Sequence, residues 1–117
     1  MNRRCAVRVT YNFEKNLVDI RRFLEEQEAL PAFHSLLDQL LETLIPNLER
    51  FPELGIDFLA RMPQSAEGLA HLEALKHRLG RDIRLREYIT DDYLVLYALR
   101  GNDIYLLSIK HHPMSQG

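Results

Sequence analysis

The sequence predicts an α+β domain in which a helical hairpin and a short third helix pack on an antiparallel C-terminal β-meander. Three observations predict it. A short N-terminal stretch alternates polar and apolar residues, a Leu-rich middle repeats its apolar residues at helical spacing, and the last third is rich in strand-forming residues. The 117 residues suit a single domain, 1–117, and they contain no internal repeat or linker.

Composition excludes several classes of protein. Hydrophobic residues make up 46% and charged residues 27%, which is typical of a globular domain. A net charge of −2 gives no general attraction to nucleic acid or to an anionic membrane. A single cysteine, Cys5, excludes an intramolecular disulfide and a multi-cysteine metal site. With no signal peptide or membrane span in the sequence, we expect a cytoplasmic protein without a metal, a cofactor or a membrane partner.

The first half of the chain predicts one strand and two helices. Alternating residues indicate a strand whose inner face carries Cys5, Val7, Val9 and Tyr11. Asn12 is the predicted N-cap of the first helix, whose apolar stripe is Phe13, Leu17, Ile20 and Leu24. Pro31 suits the first turn of the second helix, whose stripe is Phe33, Leu36, Leu37, Leu40, Leu41, Leu44 and Leu48. Pro46 should kink or interrupt that helix.

A short third helix and three strands follow. Ser65 is a plausible cap for the third helix and Gly80 its stop, and its apolar residues are Leu69, Leu72, Leu75 and Leu79. The three strands run through Ile83–Thr90, Tyr93–Leu99 and Ile104–Ile109, with a tight hairpin predicted at Gly101-Asn102.

The last two strands are apolar on both faces. In the strand Tyr93–Leu99, strict alternation places one set of residues, Tyr93, Val95, Tyr97 and Leu99, on one face and the other set, Leu94, Leu96 and Ala98, on the opposite face. In the strand Ile104–Ile109, it places Tyr105, Leu107 and Ile109 on one face and Ile104 and Leu106 on the other. The helical hairpin can cover only one of the two faces. Either the third helix or a partner chain should therefore cover the second face.

Three stretches of the chain resemble a known family. They are the opening strand Ala6-Val7-Arg8-Val9, the helix end Ile45–Gly55 with its Phe-Pro-x-x-Gly turn, and the C-terminal strands through Leu85–Ile89, Asp92–Tyr97 and Asp103–His112. Together they resemble the RelE/ParE toxins of bacterial type II toxin–antitoxin modules, and the likeness covers essentially the whole chain. The resemblance implies a toxin that a cognate antitoxin keeps silent by wrapping its surface.

The family has two mechanisms. RelE-like members cleave messenger RNA on the ribosome, whereas ParE-like members poison DNA gyrase. A protein that docks in a site walled by RNA needs strong positive charge. The pI of about 6.2 therefore argues against the RelE-like mechanism. We therefore expect a ParE-like toxin that binds and inhibits a target such as DNA gyrase. The alternatives are a ribosome-dependent mRNA endonuclease and a degenerate, non-catalytic binding module.

Candidate site residues follow from charge and from aromatic side chains. For RNA cleavage, the residues that could stabilise or move charge are Arg84, Arg86 and His111. For target or partner binding, the candidates are the basic stretch Lys76, Arg78, Arg81, Arg84 and Arg86 and the tyrosines Tyr88, Tyr93, Tyr97 and Tyr105. The same cations could instead be the solvated end of a helix, and the tyrosines could be packing residues. The tail His111-His112-Pro113-Met114 departs from the His-His-Arg-Gln that is usual in related sequences, and so lacks a cation.

Overall fold

Five strands form one mixed sheet in the computed structural model of this chain. The structure describes residues 5–57, 70, 73–74, 76–78, 80, 82–90 and 92–111. The elements are β1 (Ala6–Val9), α1 (Tyr11–Glu26), α2 (Leu30–Gln39), a π-helical segment (Leu40–Leu44), α3 (Ile45–Arg50), β2 (Ile56–Asp57), β3 (Arg84–Ile89), β4 (Tyr93–Arg100) and β5 (Asp103–His111). None of the described helices is long and apolar enough to cross a membrane.

The sheet has the strand order β1-β5-β4-β3-β2. The antiparallel β3–β4–β5 meander and the helical hairpin confirm the predicted α+β class. Two features were not predicted. β1 pairs with β5 in parallel, which makes the sheet mixed, and the two-residue β2 pairs antiparallel with β3.

The first helix begins earlier than predicted. Thr10 is its N-cap, since the Thr10 side chain accepts a hydrogen bond from the Phe13 N–H at 3.3 Å. The prediction of Asn12 as the cap is therefore wrong; its side-chain amide instead donates to the Leu107 carbonyl at 2.8 Å. Tyr11 lies in the helix with 80% of its surface exposed, not on the inner face of the first strand.

The helical hairpin covers one face of the sheet. A tight turn joins α1 to α2, with Glu28 in the left-handed region at φ 54°. Buried side chains from both helices pack against the central strands, as predicted; they are Phe13, Phe33, Leu36, Leu40, Leu44, Leu48, Val95, Tyr97, Leu99, Ile104, Leu106 and Ile109. One predicted stripe residue lies outside this core, because Leu41 is 64% exposed.

The chain stays helical through Pro46. A proline has no N–H to donate, and its ring clashes with the carbonyl four residues earlier in a regular α-helix. The turn before Pro46 is widened into the π-helical segment, in which the Ile45 N–H donates to the Leu40 carbonyl five residues back. The predicted interruption is thus a local widening that leaves Leu44 and Leu48 in the core.

A bulge in β5 changes which of its residues face the helices. Leu96 pairs with Ser108 and the next residue, Tyr97, pairs with Leu106, so Leu107 is an extra residue in β5. Beyond the bulge the alternation shifts by one. Ile109 therefore lies in the helix-facing core, and its predicted place on the other face with Tyr105 and Leu107 is wrong.

The second face of the sheet is closed over a smaller apolar cluster. Its buried members are Ile83, Leu85, Ala98 and Leu107, of which Ala98 is fully buried. These four side chains are buried in the isolated chain, so they need no partner chain to cover them. The alternative in which a partner chain covers the second face is therefore wrong for this part of it.

The predicted third helix is described in part. Residues 70, 73–74 and 76–78 are helical. The Gly80 N–H donates to the Lys76 carbonyl at 2.8 Å, and Gly80 has φ 111°, so the helix stops where Gly80 was predicted to end it. The predicted cap Ser65 and the apolar residues Leu69, Leu72, Leu75 and Leu79 lie outside the described residues.

Candidate functional site

The loop after α3 is held on the sheet by one tyrosine. The Tyr97 hydroxyl donates to the Pro52 carbonyl at 2.9 Å and accepts from the Gly55 N–H at 2.8 Å. Arg86 adds a third bond, from its Nε to the Gly55 carbonyl at 2.8 Å. Tyr97 is fully buried, and burial raises the pKa of its phenol, so the hydroxyl stays protonated and able to donate.

Close packing explains the glycine of the Phe-Pro-x-x-Gly turn. A Cβ at Gly55 would lie 2.6 Å from the Glu87 carbonyl oxygen and 2.8 Å from the Tyr97 hydroxyl. Because the first of these neighbours is backbone in the sheet, it cannot move aside cheaply. Only glycine allows the loop to reach the hydroxyl and to start β2 beside β3.

Four cations lie at the end of the sheet where β3 begins and β4 ends. Arg84, the first residue of β3, pairs across the strands with Leu99, next to Arg100. Gly80, at the end of the third helix, lies beside Arg100, since a Cβ there would be 3.6 Å from an Arg100 guanidinium nitrogen. We call this end of the sheet the basic end; its members are Lys76, Arg78, Arg84 and Arg100, of which Arg84 lies on the face of Leu99 and Arg100 on the face of Ala98.

The basic end contains most of the predicted basic stretch. Arg78, Arg84 and Arg100 are exposed and Lys76 is half-buried. At its rim, an Arg84 terminal nitrogen forms a salt bridge with a Glu53 carboxylate oxygen at 3.2 Å. Arg86 instead points to the loop, and Arg81 lies outside the described residues. Arg100 was missed, because only the strand register brings it to the same end of the sheet as Arg84.

The candidates for RNA cleavage do not come together. Arg86 pairs across the strands with Tyr97, and His111 pairs with Tyr93, on opposite sides of β4. These two β4 positions are four residues apart, which is about 13 Å along a strand. Arg84 lies farther still from His111, and the carboxylate nearest in sequence, Glu87, is on the other face of the sheet.

The four candidate tyrosines do not form one stacking surface. Tyr97 is fully buried under the hairpin, and Tyr88 and Tyr93 are half-buried on the same face. Tyr105 packs against the second-face cluster. Tyr93 meets the His111 ring edge-on, with ring centroids 5.6 Å apart and planes at 75°.

Comparison with protein families supports a specific assignment. The family described as the ParE toxin of the type II toxin–antitoxin system parDE matches residues 7–115. The chain belongs to the ParE toxin family. No curated protein matches the chain.

Membership of the ParE family implies a cognate ParD antitoxin as partner. The matched residues 7–115 include the loop held by Tyr97, the basic end and every described strand except the first residue of β1. Within the described ranges, no three His, Cys, Asp or Glu side chains are grouped to hold a metal ion.

This ParE-family chain has a groove at the end of the sheet away from the basic end. It has a volume of about 370 Å³ and lies between α1 and the paired ends of β4 and β5. Its lining residues are Asp19, Ile20, Phe23, Leu24, Tyr93 and His111. Burial, and then the nearby Asp92 carboxylate, raise the pKa of Tyr93. The sequence did not predict the groove, since it depends on the β4–β5 register.

Proposed function

We propose that this ParE-family toxin acts by binding DNA gyrase, a type II topoisomerase, and inhibiting it, and that its cognate antitoxin neutralises it. The observation that carries the proposal is the separation of Arg86 and His111 on opposite sides of β4. Inhibition by binding needs a complementary surface but no group that transfers a proton.

Cleavage of RNA makes a stricter demand. A base must reach the attacking hydroxyl at hydrogen-bond distance, about 2.6–3.2 Å, while cations contact the same phosphate. Arg86 is engaged with the Gly55 carbonyl, and His111 lies about 13 Å farther along the strands. These positions favour a binding mechanism over an endonuclease.

The basic end is the surface that we propose for the target. Arg78, Arg84 and Arg100 are exposed at this end of a protein whose net charge is only −2. With no strong overall field, a local cluster of cations decides which acidic surface the protein approaches. The loop held by Tyr97 borders this cluster through the Glu53–Arg84 salt bridge.

The test is inhibition of supercoiling by purified gyrase. We expect the wild-type chain to inhibit it and the double variant Arg78→Glu, Arg84→Gln to need at least about tenfold more protein, since it loses two exposed cations. Arg84 forms only an exposed salt bridge, worth at most about 1 kcal/mol, so the variant should fold. Lys15→Glu, on the exposed side of α1, is the charge control and should inhibit like the wild type.

Three results would contradict the proposal. If the double variant inhibits supercoiling as well as the wild type does, the basic end is not the surface that contacts gyrase. Normal supercoiling together with codon-spaced mRNA cuts on ribosomes would favour the RelE-like mechanism. Normal growth of cells that express the chain without its antitoxin would favour a degenerate binding module.

A further inference from the structure

The groove at the end of β4 and β5 is lined mainly by apolar side chains. Ile20 and Leu24 of α1 and Tyr93 of β4 are half-buried in it. Phe23 stands at its rim with 58% of its surface exposed. Exposed apolar surface of this kind marks a place where another segment packs.

β5 leads directly to this groove. His111, the last residue of β5, pairs with Tyr93, the first residue of β4, and both line the groove. Their rings meet edge-on, with centroids 5.6 Å apart. Because β4 begins at Tyr93, it offers no partner strand to the chain beyond His111. The segment that follows β5 therefore starts beside the groove.

The sequence after β5 does not favour a longer strand. It reads His112-Pro113-Met114-Ser115-Gln116-Gly117 and lies outside the described residues. Pro113 has no N–H for a strand ladder, and its ring restricts the backbone of the residue before it. None of residues 112–117 is Asp, Glu, Lys or Arg, so packing them against an apolar surface buries no carboxylate, ammonium or guanidinium group.

Met114 has the reach and the chemistry to fill the groove. It stands three residues after His111, and three extended residues span at most about 10 Å. Its unbranched side chain adapts to irregular apolar spaces, and its sulfur packs well against aromatic rings. The groove supplies the rings of Phe23, Tyr93 and His111, and its volume of about 370 Å³ has room for a large side chain.

Attachment favours this segment over other occupants of the groove. A segment joined to its site by a short flexible linker has an effective concentration on the order of millimolar. In a solution of the chain at micromolar concentration, the segment of the same molecule therefore outcompetes that of a second copy. The linker is short here, since only two residues separate His111 from Met114.

We propose that residues 112–117 fold back toward α1 and that the Met114 side chain fills the groove of its own molecule, between the rings of Phe23 and Tyr93. The groove is then covered in cis, and a ligand of this end of the sheet must first displace the segment. The inference stands apart from the proposed function, because none of its tests involves gyrase.

The first test is NMR of the full chain with labelled methionine methyl groups. The sequence has three methionines, Met1, Met62 and Met114, and loss of a signal in Met114→Leu assigns the third. We expect the Met114 methyl signal to be shifted upfield by ring currents and to show NOEs to the Phe23 and Tyr93 rings. Phe23→Leu should move the signal back toward the position of a free methionine.

Phe51→Leu is the matched control for Phe23→Leu. Phe51 is 60% exposed at the end of α3, so its exposure is nearly that of Phe23, and it does not line the groove. Neither substitution removes a buried side chain, so both variants should fold. The Met114 signal in Phe51→Leu should stay where it is in the wild type.

The second test exposes the groove. Met114→Asp should expel the segment, because a carboxylate does not pack among apolar side chains. Binding of a fluorescent apolar dye, which reports exposed apolar surface, should then rise at least about fivefold. Gln116→Asp adds the same charge two residues farther along and should bind the dye as the wild type does.

Three results would overturn the inference. The first is a Met114 signal at the position of a free methionine, without NOEs to either ring. The second is a Met114 signal that moves on dilution, since a second copy of the chain then fills the groove. The third is equal dye binding by Met114→Asp and Gln116→Asp, which would mean that the segment covers no apolar surface.

Discussion

At the scale of single residues, Tyr97 links the loop to the sheet. Its ring fills the core beneath the hairpin, and its hydroxyl donates to the Pro52 carbonyl and accepts from the Gly55 N–H. From the sequence, Tyr97 was one of four tyrosines that could have contacted a partner. The register of β4 turns it toward the helices, which makes it part of the scaffold that positions the loop.

Tyr97→Phe removes both hydrogen bonds of the hydroxyl and keeps the ring. We expect the free energy of unfolding near neutral pH to fall by about 1–3 kcal/mol, since the Gly55 N–H is left buried without its acceptor. Urea denaturation measures the change. Tyr105→Phe is the matched control, because the Tyr105 hydroxyl makes no hydrogen bond with a described residue; its effect should stay within about 0.5 kcal/mol.

Tyr97→Phe should also change how the free energy of unfolding depends on pH in the alkaline range. Burial raises the pKa of Tyr97 above the unfolded value of about 10, so the folded state holds the proton more tightly. Wild-type stability should therefore be complete below about pH 10 and be lost as the pH rises through the folded pKa. The loss should be shallower in Tyr97→Phe, with Tyr93 still contributing. An equally steep decline in both proteins would contradict this account.

At the scale of elements, α1 is fastened to the bulged strand β5. Thr10 donates from its hydroxyl to the Leu106 carbonyl at 2.7 Å, Asn12 donates to the carbonyl of the bulge residue Leu107, and Asn16 accepts from the Ile109 N–H. The three polar side chains bond to backbone groups of β5 that face α1. The helix and the strand therefore fix each other's position.

Asn16→Ala tests this fastening. The Ile109 N–H loses its acceptor, so we expect a loss of about 1–3 kcal/mol in the free energy of unfolding. Amide hydrogen exchange at Ile109 should also become faster, whereas exchange at buried β4 positions such as Val95 should follow global stability alone. Lys15→Ala, at the exposed neighbouring position, should change neither quantity. Unaltered exchange at Ile109 in Asn16→Ala would show that the bond is dispensable.

The elements also show what the sequence could predict. Helical spacing predicted α1 and the long Leu-rich helix, and Gly101-Asn102 predicted the β4–β5 hairpin. Thr10 and Asn12 are both good N-caps, so local preference could not choose between them. Leu106 and Leu107 are both apolar, so the alternation carried no signal of the bulge. β2 has only two residues, which is too few to show the alternation of polar and apolar residues that marks a strand.

At the scale of the whole molecule, the two ends of the sheet differ in chemistry. The basic end carries Arg84 and Arg100, and the opposite end carries the mostly apolar groove beside His111. Charge density along the chain predicted Lys76, Arg78 and Arg84. It could not predict Arg100 or the groove, because both depend on which strand positions face each other.

The closed second face gives a prediction for the isolated chain. Ala98 is fully buried there, so Ala98→Leu should overpack the cluster and lower the free energy of unfolding by about 1–3 kcal/mol. Antitoxin affinity per folded molecule should not change. Thermal unfolding of the chain alone and titration of the antitoxin measure the two effects. Full stability with lost affinity would mean that a partner covers this face.

The parallel pairing of β1 with β5 sets the timing of folding during synthesis. Arg8 and Asp103, which form a salt bridge across these strands, are 95 residues apart in the chain. At a translation rate of roughly 5–20 residues per second, the first strand waits about 5–20 s for its neighbour. A nascent chain or a truncated product that stops before Asp103 lacks β5, the strand that joins β1 to β4, so the sheet of the toxin is complete only when β5 has been made.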